Sequence, residues 1–260
     1  MLRPRIIPCL LVRNKGLVKT IKFKDGKYVG DPLNAVKIFN EKEVDELILL
    51  DIDATAENRE PDFELIRNIA IESRMPLCYG GGVKTVEHAK KIISLGAEKV
   101  AISSVALENP GIITEMAQAV GTQSVIVVID VKTKSFFGKQ EVVSHNATKS
   151  TGLSPVEFSK QCEAAGAGEI VINSVDHDGV MDGYDLRLIK EIRQAVSLPL
   201  TIIGGASSLD DLSDLISKFG VIGAAAGSLF VFKGKYKAVL INYPNAIEKR
   251  QVLRNAGVNC

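Results

Sequence analysis

The chain has 260 residues, close to the ~250 typical of one (β/α)8 barrel, though two small domains would also fit that length. Apolar residues make up 46%, enough for a sizeable core. The 32 basic and 31 acidic residues leave a net charge of +1, which carries no polyanion-binding signature and argues against a nucleic-acid partner.

In chain order, short β-branched runs alternate with amphipathic stretches. Strands are expected at about 5–12, 46–52, 76–80, 97–103, 124–131, 168–174, 199–203 and 221–226. Helical patterns fall near 31–43, 61–73, 85–95, 110–120, 154–165, 184–196 and 208–218. The run Val125-Ile126-Val127-Val128-Ile129 is continuously apolar, as in a parallel strand buried on both faces. Asn109-Pro110 and Ser154-Pro155 each place a capping residue before a proline at a helix start, and Gly96, Gly166 and Gly220 close helices. Eight such strands favour a closed α/β barrel over an open sheet. Residues 14–30, rich in Gly and Lys, read as a long loop after the first strand. Lys132 to Ser150, with Phe136-Phe137-Gly138 and Glu141-Val142-Val143, reads as a small hairpin over the barrel mouth. Both are candidate lids, or else solvated insertions.

No apolar run reaches the ~18 residues of a membrane span. The opening Met1-Leu2-Arg3-Pro4-Arg5 lacks a small-residue cleavage site, so it does not read as a secretory signal. Cys9, Cys78, Cys162 and Cys260 have no metal-binding spacing, and with three His no metal site is expected. A cytoplasmic protein with reduced thiols and no cofactor is the expectation.

An internal repeat carries more information. Glu46-Leu47-Ile48 leads to Asp51-Ile52-Asp53, and Glu169-Ile170-Val171 leads to Ser174-Val175-Asp176 at an offset of 169 − 46 = 123 residues. At that offset Gly81-Gly82 falls on Gly204-Gly205. One residue further along, Gly96 falls on Gly220 and Ser103-Ser104 on Gly227-Ser228. The chain therefore reads as a single barrel, residues 1–260, of two half-barrels at about 1–123 and 124–244 with a tail at 245–260. A glycine pair at a strand end lets main-chain N–H groups approach an anion, and a small or hydroxyl residue after the next strand adds further donors. Each pair alone could be a tight turn. Two in register predict two phosphate sites across one mouth, and a ligand with a phosphate at each end.

Ile6-Ile7-Pro8-Cys9-Leu10, Gly30-Asp31-Pro32, Gly80-Gly81-Gly82, Gly166-Ala167-Gly168-Glu169-Ile170, Asp176-His177-Asp178-Gly179 and Gly204-Gly205-Ala206 resemble the cyclase subunit of imidazole glycerol phosphate synthase in order and spacing, from residue 3 to about 232. The resemblance implies a phosphate-binding (β/α)8 TIM barrel with a glutaminase partner docked on its bottom face, whose ammonia passes through the barrel. At the top it would react with a bis-phosphorylated ribulosyl aminoimidazole carboxamide, giving imidazole glycerol phosphate and an aminoimidazole carboxamide ribotide. Asp178 and Gly179 join the phosphate-binding residues by resemblance, and Lys19, Asp51 and Asn173 the substrate and lid contacts. Arg5, Glu46, Lys99 and Glu169 match the family's ammonia gate, for which an ordinary salt-bridge cluster is the alternative, and Glu98 would lie on the same rim.

Two aspartates do the acid–base work in the family, one ending the first strand and one the fifth. Asp130 matches the second, whereas Leu11 stands at the first. Leucine transfers no proton. Tyr79, Asn173, His177 and Ile203 also depart from the family's mouth residues. The opening Arg3-Pro4-Arg5-Ile6-Ile7-Pro8-Cys9-Leu10-Leu11 and the ending Ile241-Asn242-Tyr243-Pro244 resemble a second-copy branch associated with surface-polysaccharide synthesis. Members of that branch are linked to a sugar amidotransferase that takes the ammonia. Three readings stay open: such a divergent copy, a true histidine-pathway cyclase, and a non-catalytic module that conducts ammonia and activates the glutaminase. A related isomerase acting one step earlier ranks last, because it too needs the first aspartate.

Overall fold

The computed structural model describes residues 3–134 and 138–258; Met1, Leu2, Phe136, Phe137 and Cys260 lie outside them. The eight barrel strands are β1 (Arg5–Arg13), β2 (Leu47–Asp51), β3 (Leu77–Gly80), β4 (Lys99–Ile102), β5 (Val125–Thr133), β6 (Glu169–Ser174), β7 (Leu200–Ile203) and β8 (Gly223–Ala226). Each pairs in parallel with the next, and β8 returns to β1 through Arg5↔Gly223 to Pro8↔Ala226, so the barrel is closed. Closure leaves the eight-stranded barrel itself without a free edge. All eight strands fall where the hydrophobic runs place them.

Seven helices follow the first seven strands: α1 (Pro32–Glu41), α2 (Phe63–Glu72), α3 (Val86–Ser94), α4 (Gly111–Val120), α5 (Pro155–Ala164), α6 (Leu186–Ala195) and α7 (Leu209–Phe219). Their starts are set by side chains. Asp31, Asp62, Thr85, Asp185 and Ser208 each accept a hydrogen bond from the backbone N–H three residues on, satisfying a donor the helix cannot. Asn109 differs from expectation: Pro110 itself stands at the cap of α4, and Asn109 Oδ1 accepts from the Gly111 N–H at 3.2 Å. Ser154 is the cap residue of α5, without a side-chain cap bond.

Two segments depart from the sequence reading. Residues 14–30 are not a loop but a hairpin, Gly16–Ile21 against Lys24–Gly30, whose first strand extends the sheet beyond β1. Its lysines and glycines hid a buried run from Leu17 to Thr20. In the tail, Ala246–Asn255 forms an eighth long helix, α8, which packs against α7. The insertion after β5 is a hairpin as expected, with Gln140–Ser144 pairing back onto Asp130–Thr133.

Candidate active site

Side chains alternate along a strand, so every second residue of each barrel strand points into the bore. On β1 that face runs Arg5, Ile7, Cys9, Leu11. On β6 it runs Glu169, Val171, Asn173. The inward face is thus charged at the bottom, apolar in the middle and mixed at the top.

At the bottom, Arg5, Glu46, Lys99 and Glu169 form a closed ring. Arg5 pairs with Glu46 through Nη1 and with Glu169 at 2.6 Å through Nη2. Lys99 Nζ reaches Glu46 at 2.7 Å and Glu169 at 2.9 Å. Thr201, fully buried, donates to Glu169 Oε1 at 2.5 Å and was missed by the sequence reading. Its only sequence signal is a hydroxyl facing inward on a buried strand. Burial works against charge on Glu169, but hydrogen bonds and ion pairs from Arg5, then the charge of Lys99, hold its carboxyl below the usual range. Burial likewise opposes the ammonium of Lys99, and the two glutamates outweigh it, so the lysine pKa is raised. Glu98 is exposed on the same rim.

Above the ring the bore is apolar. Ile7, Cys9, Ile48, Cys78, Ala101, Ile126, Val128, Val171, Ile203 and Ala225 form one buried cluster, with Leu11 and Leu50 packed on it. Burial pushes the Cys9 thiol up to about 11 and Cys78 well above its ordinary value, so both stay neutral at neutral pH. Nothing in this layer carries charge.

The bore opens into a mouth cavity of about 670 Å³. Asp130 stands on its floor, and burial pushes its carboxyl up to about 7, against a hydrogen bond from Asn173 Nδ2 at 2.9 Å. The buried Asn173 Oδ1 has no partner. Leu11, Asp51, Asn173 and Ile203 line the same cavity. Tyr79 does not: it is fully buried in the layer between strands and helices, because alternation turns it away from the bore. His177 also lies off the cavity lining, with Nδ1 2.7 Å from Asp182.

The two glycine pairs lie after β3 and β7, four strands apart in an eight-stranded ring and so on opposite sides of the mouth. Gly81 and Gly82 have φ of +117° and +70°; Gly204 and Gly205 have +96° and +108°. A Cβ on Gly81 would lie 2.4 Å from the Asp51 carbonyl oxygen, and one on Gly205 1.9 Å from that of Gly183. Only glycine fits both demands. Ser103, Ser104, Gly227 and Ser228 line the cavity beside the pairs. Gly205→Ala combines a left-handed φ with a backbone collision and is expected to cost about 2 kcal/mol or more. Chemical denaturation monitored by circular dichroism reads that loss.

The first hairpin lies over the cavity and is latched to the loop after β6. Asp178 Oδ2 accepts from Thr20 Oγ1 at 2.7 Å and from the Phe23 N–H at 3.1 Å, and the Asp178 carbonyl accepts from the Lys22 N–H at 2.9 Å. A Cβ on Gly179 would lie 2.1 Å from the Thr20 carbonyl oxygen, so that turn and the hairpin touch. The latch folds Lys19 inward, where its buried ammonium donates to the Cys9 carbonyl at 2.6 Å beside Gly227. Burial lowers the Lys19 pKa. On the other side, Asp51 is taken up by Arg59 (3.1 and 3.3 Å), a partner the sequence reading missed. Asp178→Ala removes two charge-assisted bonds, so residues 20–24 are expected to exchange amide hydrogens at least about tenfold faster.

A family model described as histidine biosynthesis protein matches residues 5–237. A Vibrio vulnificus protein provisionally named imidazole glycerol phosphate synthase subunit hisF3 is 59% identical over 253 residues, covering 97% of each chain. The chain belongs to the HisF family. A Pseudomonas aeruginosa HisF-family protein, provisionally named hisF2, is 54% identical over 94% of this chain and 97% of its own. The imidazole glycerol phosphate synthase subunit HisF of Exiguobacterium sibiricum is 41% identical over 88% of this chain and 91% of its own. The closed barrel with helices between its strands is the fold this HisF-family membership requires. Among the described residues no cluster could hold a metal ion, and no helix is long and apolar enough to cross a membrane.

Proposed function

We propose that this HisF-type subunit takes ammonia from a glutaminase partner on its bottom face and delivers it through the barrel to a mouth built for a bis-phosphorylated ligand. The observation that carries the reading is the vertical order of the inward faces. A paired ring closes the bottom, an uncharged bore follows, and two glycine cradles with Lys19 stand around the top. A neutral molecule the size of ammonia crosses an uncharged bore at far less cost than an ion, since charge in an apolar medium is heavily penalised. Breaking one pair of the ring opens the way. Gly81, Gly82, Ser103 and Ser104 would hold one phosphate. Gly204, Gly205, Gly227 and Ser228 would hold the other, with Lys19 supplying positive charge.

Leu11 favours a divergent copy whose ammonia serves surface-polysaccharide amidation, through a sugar amidotransferase, over a histidine-pathway cyclase. The numerals in the names of the hisF2 and hisF3 relatives support that reading. The cyclase reading draws support from Asp130, whose carboxyl near 7 suits a general acid or base at neutral pH. The deciding experiment supplies the purified protein with ammonium and the ribulosyl intermediate. Turnover above background would overturn the divergent-copy reading. Separately, Lys99→Met in the glutaminase complex is expected to uncouple glutamine hydrolysis from ammonia delivery, and unchanged coupling would remove the gate.

A further inference from the structure

The staggered closure of the barrel leaves a gap beside the ring. β1 pairs with β8 from Arg5 onward, but with β2 only from Cys9↔Ile48 onward. Arg5 N–H points to β8, donating to the Ile222 carbonyl at 3.1 Å, so the N–H and C=O of Ile6 face the β2 side where no strand meets them. A buried backbone group without a partner is costly, and here side chains fill the gap. Asp45 Oδ2 accepts from the Ile6 N–H at 2.9 Å, and the hydroxyl of Tyr243, a buried residue, donates to the Ile6 carbonyl at 2.9 Å. The same hydroxyl accepts the Asp45 N–H at 3.4 Å, and Lys249 Nζ donates to Asp45 Oδ1 at 2.7 Å.

Each tethered residue is the chain neighbour of a ring residue: Ile6 of Arg5, Asp45 of Glu46. Tyr243 and Lys249 lie in the segment beyond residue 237, where the family model ends. The Vibrio relative's alignment covers 97% of this chain, so most of that segment is shared with it. We infer that Tyr243 and Lys249 are positioning residues for the ring, fixing the starts of β1 and β2 so that Arg5 and Glu46 stay paired. The inference rests on the gate reading for its consequence, because a tether that sets the closed ring sets how often it opens.

Side-chain ¹⁵N relaxation dispersion at Lys99 Nζ and Arg5 Nε in the full chain tests it. Tyr243→Phe removes the bond to the Ile6 carbonyl and the longer one from the Asp45 N–H, and is expected to raise the open population of the ring about fivefold. Lys249→Met acts in the same direction and serves if Tyr243→Phe folds poorly. Val252→Ala is the control, since Val252 is buried in α8 and makes none of the hydrogen bonds to Ile6 or Asp45. It is expected to lower the melting temperature and leave ring exchange at the wild-type level. If both tether variants lower the melting temperature yet leave Lys99 and Arg5 exchange unchanged, the tail is only a structural brace and the inference falls. If ring exchange rises while Lys99→Met leaves ammonia transfer unaltered, the positioning stands and the gate reading fails alone.

Discussion

Glu169→Gln is expected to destabilise the protein by roughly 3 kcal/mol, because it leaves two cations of a buried ring facing one carboxylate. For a chain of this length that is a fall in melting temperature of about 6–12 °C, read by calorimetry. The pH dependence should change as well, and its sign follows from the direction of the shift. The folded-state pKa of Glu169 lies below its ordinary value of 4.5. Near and below 4.5 the unfolded chain binds more protons than the folded one, so stability rises with pH there. The contribution is complete above 4.5 and is lost as pH falls through the lower, folded pKa. Wild type should therefore lose stability more steeply than Glu169→Gln between about pH 5 and pH 3. Parallel curves would mean that Arg5 and Lys99 do not hold this carboxylate as the geometry has them do. Lys99 works in the opposite sense: its raised pKa stabilises below its ordinary 10.5, and that contribution is lost as pH climbs through the folded value.

The barrel was legible because its strands are buried on both faces and its helices on one, and both leave strong periods in the sequence. The glycine pairs were legible for a different reason: their repeat at one offset exposes positions where backbone geometry admits no side chain. What stayed hidden lacked either mark. The first hairpin presents lysines to solvent and to the mouth, so composition masked the buried run from Leu17 to Thr20. Helix α8 has a thin apolar stripe with Val252 as its one buried residue, yet its capping box was in plain view: Asn245 and Glu248 bond each other's backbone N–H. Thr201 and Tyr243 act through partners far away in the chain, and Arg59 folds back on Asp51 across an irregular loop; neither spacing nor propensity points to such pairs. Tyr79 went the other way. Its place before the glycine triplet suggested the mouth, but strand alternation buries it behind the sheet.

The substitution with the largest expected effect on chemistry is Leu11→Asp. Leu11 lines the mouth on the inward face of β1, level with Leu50 on β2, and Asp130 rises from β5 across the cavity. A carboxylate there would add a second proton carrier facing Asp130, a group that contributes about 10²–10⁴ in rate when placed well. Ammonium-driven turnover of the ribulosyl intermediate is the measurement, with Asp130→Asn in the same background expected to abolish any gain. The cost is a charge set among Leu50, Val18 and Cys9, roughly 1–3 kcal/mol. With Asp130 alone titrating near 7, activity that needs it as a base should rise through neutral pH. With two facing carboxylates the pair would titrate jointly, spreading that rise over a wider range. If Leu11→Asp folds and binds a bis-phosphate yet shows no gain, a second carboxylate on β1 is not what turnover requires. The unpartnered Asn173 carbonyl and Ile203, which share that floor, would then define a site shaped for another acceptor.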